Sequence, residues 1–278
     1  IAIITIFRNE KNNLRLKQKD KFLKEMKKLR EYNEFDLYLV EQSEDNCKFN
    51  IGKLKNIGFK TALLTKTIYD YFIFTDIDIL PNNELIPYYF TPIKGVNCLA
   101  IRGTRYGNRN KCFMGSVIGI DKLNFEKING YPNNFWGWGG EDDALLFRIN
   151  FNKVPIFNPK EGEIKDLESE NFKELNDKFK DLKENNKKEF LKNEKLVLDM
   201  KTWKENGLSN LNYKIIKQEK MNFPFLYTYI LVDLNYKEDI LKFSKFYNFD
   251  NNININKNEE LKKIIKKNKK CNYSYYSL

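Results

Sequence analysis

Apolar residues run without a break through IAIITIF at residues 1–7, a β-branched stretch that predicts a strand buried on both faces. A Lys-, Leu- and Glu-rich stretch at 11–32 predicts a helix, DLYLVE at 36–41 a second strand, 52–66 a helix, and YFIFT at 71–75 a third buried strand. Strands alternating with helices predict a doubly wound α/β sheet. In such sheets ligands sit beyond the carboxyl ends of the strands. Further strands are expected at 97–102 and 113–120, and a short helix at 122–129 stopped by Gly130 and Pro132. Asp142 through Asn150 should form a helix with acids in its first turn, where the helix dipole favours them.

The pattern changes after about Lys160. Residues 165–206 are dominated by Lys, Glu, Asn and Asp, and within them Phe172, Leu175, Phe179 and Leu182 recur at helical spacing. Strand-like apolar character returns in MNFPFLYTYILVDL at 221–234. The tail from Asn235 to Leu278 is Lys/Asn-rich and reads as partly helical. No internal repeat is visible.

Composition narrows the chemistry more than the fold. The 278 residues carry 49 basic and 38 acidic side chains, a formal charge of +11, which alone would admit nucleic acid, an anionic membrane or an acidic substrate as partner. The excess is mostly Lys scattered among Asn, and no nucleic-acid motif accompanies it. No apolar run reaches the length of a membrane span. The four cysteines, Cys47, Cys98, Cys112 and Cys271, form neither a CxxC pair nor a dense framework, so a cytoplasmic, reducing location is expected. Because the chain starts at Ile1, a Golgi-lumenal location behind a removed N-terminal anchor is the alternative. There is no histidine. Carboxylates must therefore do any acid–base or metal work.

Two constellations carry candidate chemistry. In TDIDILP, residues 75–81, Asp76 and Asp78 follow a buried strand directly, and strand alternation would put them on one side at the ligand edge. A hard divalent ion takes carboxylate and phosphate oxygens together, so the pair suits a metal–diphosphate; the bland alternative is a solvated turn before Pro81. In NGYPNNFWGWGGEDDALLFRI, residues 129–149, Trp136 and Trp138 alternate with glycines and then meet Glu141, Asp142 and Asp143. The glycines allow tight turns and close ligand approach. Three adjacent acids repel one another, which local rules alone do not ask for.

The second motif resembles the signature of the β-1,4-galactosyltransferase family, including its N-acetylgalactosaminyltransferase relatives. IAIITIFRNE at 1–10, FNIGKLKNIGF at 49–59, DIDILP at 76–81, KCFMGSVIGI at 111–120 and GLSNLNYKII at 207–216 resemble further family segments in the family's order. The resemblance implies a GT-A-like nucleotide-sugar-binding α/β fold: a mostly parallel central sheet flanked by helices, with a helical C-terminal extension. It covers residues 1–234, with a charged lid-like insertion at about 165–206, and leaves 235–278 as the extension. It implies inverting transfer of galactose or N-acetylgalactosamine from a UDP-sugar to a saccharide acceptor. By position Asp142 matches the general base, Asp143 an acceptor ligand, and Glu141 and Trp138 groups that hold the donor sugar. Asp78 matches a manganese ligand and Asp76 a nucleotide contact. Phe7 and Arg8 match residues around uridine and phosphates, and Gly115 lies in the donor-pocket strand. Trp136 is expected beside the acceptor.

This chain departs from the pattern in three places. The family's metal-binding histidine is missing, and in GEIKDLESE at 162–170 the substitutes are Asp166, Glu168 or Ser169, an oxygen set suited to Mn²⁺ or Mg²⁺. Glu10 stands where a basic residue is expected near the diphosphate, so basic help is expected from Lys53 or from the lysine-rich segment after Lys160. Cys112 stands where galactose-specific members carry a bulky Tyr, which leaves room for an N-acetyl group and predicts acceptance of UDP-GalNAc. The lost histidine also admits the alternative of a non-catalytic UDP-sugar-binding domain. Trp203 is read either as part of an acceptor lid or as a packing residue. The oligomeric state is not legible.

Overall fold

The computed structural model describes residues 1–9, 13–44, 47–104, 107–108, 112–137, 139–168, 182–235, 255–268 and 274–276. Its first half follows the predicted rhythm: β1 (Ala2–Phe7), α1 (Leu14–Arg30), β2 (Asp36–Gln42), α2 (Ile51–Leu63) and β3 (Tyr71–Asp76). β1 lies between β2 and β3, parallel to both. Its alternate side chains fill two separate cores. Ile4 and Ile6 pack with Leu54, Ile57 and Phe59 of α2, while Ile3 and Phe7 pack with Phe22, Leu23 and Met26 of α1. The two helices therefore cover opposite faces of the sheet. Gly58 makes the α2 contact possible, because a Cβ there would lie 2.3 Å from the Ile4 side chain. Asn50 caps α2 by accepting the Lys53 backbone N–H at 3.0 Å.

The second half is more irregular. β4 (Ile79–Pro81), α3 (Ile86–Tyr89), β5 (Val96–Asn97), β6 (Val117–Asp121), α4 (Lys122–Lys127), α5 (Glu141–Phe151), β7 (Ile156–Pro159) and β8 (Ile164–Asp166) follow. The strands expected at 97–102 and 113–120 shrink to β5 and β6. Leu99, Ala100 and Ile101 are buried, so their apolar character is real, but they join no ladder. The charged segment supplies a long helix, α6 (Leu182–Thr202); the expected positions Phe172, Leu175 and Phe179 lie outside the described residues. β9 (Lys214–Met221) and β10 (Tyr227–Asp233) then form an antiparallel pair where a single apolar strand was expected. In the C-terminal part, α7 (Ile255–Asn268) packs on α6 and β11 (Ser274–Tyr276) pairs with β7.

The main sheet has the order β11-β7-β5-β6-β3-β1-β2-β10-β9, and most of its pairs are parallel. β4 and β8 form a separate antiparallel pair. Helices flank the large sheet on both faces. The carboxyl end of β3 and the start of α5 carry both acidic motifs to one edge.

Candidate active site

Gly140 adopts φ 101°, a left-handed conformation, and caps α5 without a side chain. This turn delivers Glu141, Asp142 and Asp143 into the first helical turn. Burial, reinforced by repulsion from Asp142, pushes the Glu141 carboxyl up to about 8. Burial and the neighbouring Asp143 likewise raise Asp142 above the usual carboxylate range. Asp142 Oδ1 accepts the Asp143 N–H at 2.9 Å. Its Oδ2 faces Gly115, where a Cβ would stand 3.3 Å away and also collide with the Phe113 ring. Only glycine fits this close packing of Phe113 and Asp142, at the position the donor-pocket strand was expected to occupy. Asp143 pairs with Lys192 of α6 at 2.6 Å, and Lys195 of the same helix donates to the Trp136 carbonyl at 3.1 Å.

The two acids of the DxD turn part company. Strand geometry would have aligned them, but β3 ends at Asp76 and residues 77–78 form a turn. Asp76 Oδ1 meets the buried Lys55 of α2 at 3.1 Å, and the Lys55 ammonium lies 5.4 Å from the Tyr131 ring centroid. Burial by itself would lower the Lys55 pKa, but Asp76, Tyr131 and Glu141 together hold it above its ordinary value. Asp78 instead pairs with Arg15 of α1, on the other face of the sheet, at 3.1 Å.

The acids expected as metal ligands do gather. Ile79 pairs with Asp166 across β4 and β8, and the Leu167 N–H donates to the Asp78 carbonyl at 2.9 Å. Asp78, Asp166 and Glu168 are all buried, and the Glu168 N–H donates to Asp166 Oδ1 at 3.0 Å. As arranged, however, they do not fit a divalent ion. The Arg15 guanidinium bridges Asp78 and Glu168, taking the carboxylate oxygens a metal would need. Among the described residues no group of three or more acidic or thiol side chains is disposed to hold a metal. Ser169 and Glu10 lie outside the described residues.

Other expected residues find different surroundings. Phe7 is buried at the end of β1, with the Lys19 ammonium 4.9 Å from its ring centroid. Arg8 donates to the Cys47 carbonyl at 2.7 Å and lies over the Phe49 ring. Lys53 is buried, donates to the Leu234 carbonyl at 2.7 Å and lies over the Trp136 ring, so it ties α2 to the end of β10. Trp136, expected beside the acceptor, is only 2% exposed and packs into the main core. Trp138 lies outside the described residues. Trp203 is buried edge-on against Phe151, which favours packing over a lid. Cys112 is disulfide-bonded, whereas Cys98 is a buried thiol. A bond at one cysteine leaves no dense spacing signature to read in the sequence.

Sequence reading missed Lys55, Arg15 and Lys192. Lys55 carried the one available signal, a charge on a helix face otherwise filled by Leu54, Ile57 and Phe59. Arg15 and Lys192 are indistinguishable in sequence from the many solvated lysines and arginines around them.

Comparison with known proteins agrees with this geometry. The family model described as the N-terminal region of glycosyl transferase group 7 matches residues 1–91, and that described as the N-terminal domain of galactosyltransferase matches residues 98–173. Beta-1,4-galactosyltransferase 2 of Cricetulus griseus is 30% identical over 242 residues, covering 84% of this chain and 59% of the relative. Beta-1,4-galactosyltransferase 4 of the same species is 31% identical over 206 residues, covering 73% and 55%. The chain thus spans little more than half the length of these relatives. The catalytic domain of Drosophila β-1,4-galactosyltransferase 7 with xylobiose superposes with a TM-score of 0.61 at 23% identity, covering 84% of this chain and 93% of that one. A mutant of that Drosophila enzyme, in complex with manganese, UDP-Gal and xylobiose, gives 0.60 at 20% identity, covering 84% and 95%. The expected cytoplasmic location is corrected here, because the relatives are lumenal enzymes of the Golgi. The disulfide at Cys112 agrees with an oxidising compartment. Among the described residues no helix is long and apolar enough to cross a membrane.

Proposed function

Because this chain belongs to the β-1,4-galactosyltransferase family, we propose that it transfers galactose from UDP-galactose to a saccharide hydroxyl with inversion, Asp142 acting as general base. The observation that carries this reading is the Asp142 carboxylate in the first turn of α5, its pKa raised by desolvation and by Asp143, next to Glu141, which Asp76 of the DxD turn also faces. The acceptor oxygen attacks the anomeric carbon of galactose as its proton passes to Asp142. The bond from that carbon to the β-phosphate oxygen breaks, and its electron pair leaves with UDP. A carboxylate whose pKa is raised by burial is a stronger base than one in water, while still deprotonated above that pKa. Glu141 stands next to it on the donor side, and Asp76 meets the nucleotide.

Manganese and UDP-Gal accompany the Drosophila relative. In this chain Arg15 holds Asp78 and Glu168, two of the three acids that would take a metal. UDP-galactose is proposed as the donor because the curated relatives are named galactosyltransferases; acceptance of UDP-GalNAc is the alternative that a donor comparison decides.

The test is transfer from UDP-galactose to a saccharide panel that includes xylobiose, with Asp142→Asn as the variant. Transfer should fall by about 10²–10⁴, the usual worth of a general base, with UDP affinity kept within about threefold. Full transfer activity in the Asp142→Asn variant would overturn the assignment.

A further inference from the structure

Lys55 has a role that the transfer chemistry above does not use. It lies on α2 with its side chain 4% exposed, among residues that pack against β1 and β2. A buried ammonium is tolerated only when paired, and its pair is Asp76. The pair is one-sided: the Asp76 side chain is 29% exposed at the carboxyl end of β3, where a doubly wound sheet binds its ligand. The lysine is clamped from below, and only the acid looks outward. Beside them stands Glu141, whose buried Oε2 has no hydrogen-bond partner and whose charge Lys55 feels. Asp76 and Asp142, joined by Glu141 above about pH 8, would present negative charge to an incoming diphosphate, which is itself anionic.

We infer that Lys55 is a positioning residue for the nucleoside-diphosphate end of the donor: it fixes the orientation of Asp76 and offsets the negative charge of the acid cluster around the donor. This rests on the UDP-sugar reading. The lysine touches neither sugar nor acceptor, so its effect should fall on the donor alone. Glu141 is faced by Asp142 on its own helix, by Lys55 from α2, by Asp76 from β3, by the Tyr131 hydroxyl, and by Lys192 and Lys195 from α6. Removing Lys55 takes away one cation from that set and leaves the two of α6.

The experiment compares wild type, Lys55→Met, Asp76→Asn and the double variant by UDP titration calorimetry and by steady-state kinetics with donor and acceptor varied separately. Lys55→Met should weaken UDP binding about tenfold, the scale of one lost charge-assisted contact, and leave the acceptor KM within about twofold. In the Asp76→Asn background the same change should cost less than about threefold, because coupled groups are not additive. The acid limb of the pH–rate profile should move to higher pH, since Glu141 loses a cation that opposes its protonation. Wild-type UDP affinity in Lys55→Met, losses that multiply in the double variant, or an acceptor KM that rises in step would each overturn the inference. If Lys55→Met does not fold, Lys55→Gln carries the test, since it keeps a donor to Asp76 without the charge. A folded Gln variant with wild-type UDP affinity overturns it equally. A wild-type protein that binds no UDP would defeat the functional reading itself, and this inference with it.

Discussion

Glu141→Gln should make the protein more stable at alkaline pH while impairing transfer. Burial and repulsion from Asp142 raise the Glu141 carboxyl from 4.5 to about 8. At about 1.4 kcal/mol per pH unit this corresponds to roughly 5 kcal/mol. Part of that repulsion passes to Asp142 when Glu141 is neutralised, and the side chain retains some exposure, so about 2–4 kcal/mol is expected. The sign follows from proton counting. Below about pH 4.5 both folded and unfolded chains hold the proton, and the native state has its full stability. Between 4.5 and about 8 the unfolded chain releases the proton while the folded one keeps it, so stability falls as pH rises. Above about 8 the loss is complete. Urea unfolding of wild type and variant at pH 5 and pH 9 isolates the effect, because the other titrating groups largely cancel in the difference. The Gln variant should gain about 2–4 kcal/mol on wild type between the two pH values. A difference that stays within about 0.5 kcal/mol across that range would refute the desolvated carboxyl, since a solvated Glu has no such slope.

Two further perturbations read other parts of the site. Arg148 and Asp199 form a fully buried pair in which the guanidinium also donates to the Gly130 and Asn206 carbonyls, joining α5 to α6 behind the acids. Arg148→Met should cost about 3–5 kcal/mol in urea unfolding, because Asp199 is left charged and buried; a loss under about 1 kcal/mol would show that this network is dispensable. Arg15→Met frees Asp78 and Glu168 from their shared guanidinium. Manganese binding by the metal-free protein, followed by loss of the free-ion paramagnetic resonance signal, should tighten about tenfold or more as a competing positive charge leaves, and unchanged binding would refute Arg15 as the occupant of that corner.

How legible these features were in the sequence depended on the range of the interaction that forms them. β1 and β3 are buried on both faces, and continuous β-branched or aromatic runs announce that directly. The acids of α5 were legible because the helix dipole favours acids in a first turn after a glycine cap, and three adjacent ones exceed what that local rule asks for. At 97–102 the apolar run was real, yet pairing depends on what lies alongside, and only Val96 and Asn97 have ladder partners. β9, a polar edge strand with most residues exposed, carries little alternation to read. Trp136, between Phe135 and Gly137, looks the same in sequence whether it faces a sugar or the core, and the structure buries it. Pairings such as Arg15 with Asp78, separated by 63 residues, leave no local trace at all.

What the fold adds is a division of the excess positive charge. Three acids at one edge each receive a cation from a different helix: Asp76 from Lys55 of α2, Asp78 from Arg15 of α1, and Asp143 from Lys192 of α6. The first two helices lie on opposite faces of the sheet, so the DxD turn, whose acids alternation would have pointed one way, is pulled in two directions. A chain without histidine thereby sets the charge of its site through three ion pairs of unequal burial. Lys55 is almost wholly enclosed, whereas Arg15 and Lys192 keep 27% and 32% of their side-chain surface. A partly exposed pair opens at little cost, and an enclosed one does not. The Asp76 pairing is thus a fixed part of the scaffold, while those at Asp78 and Asp143 open more readily.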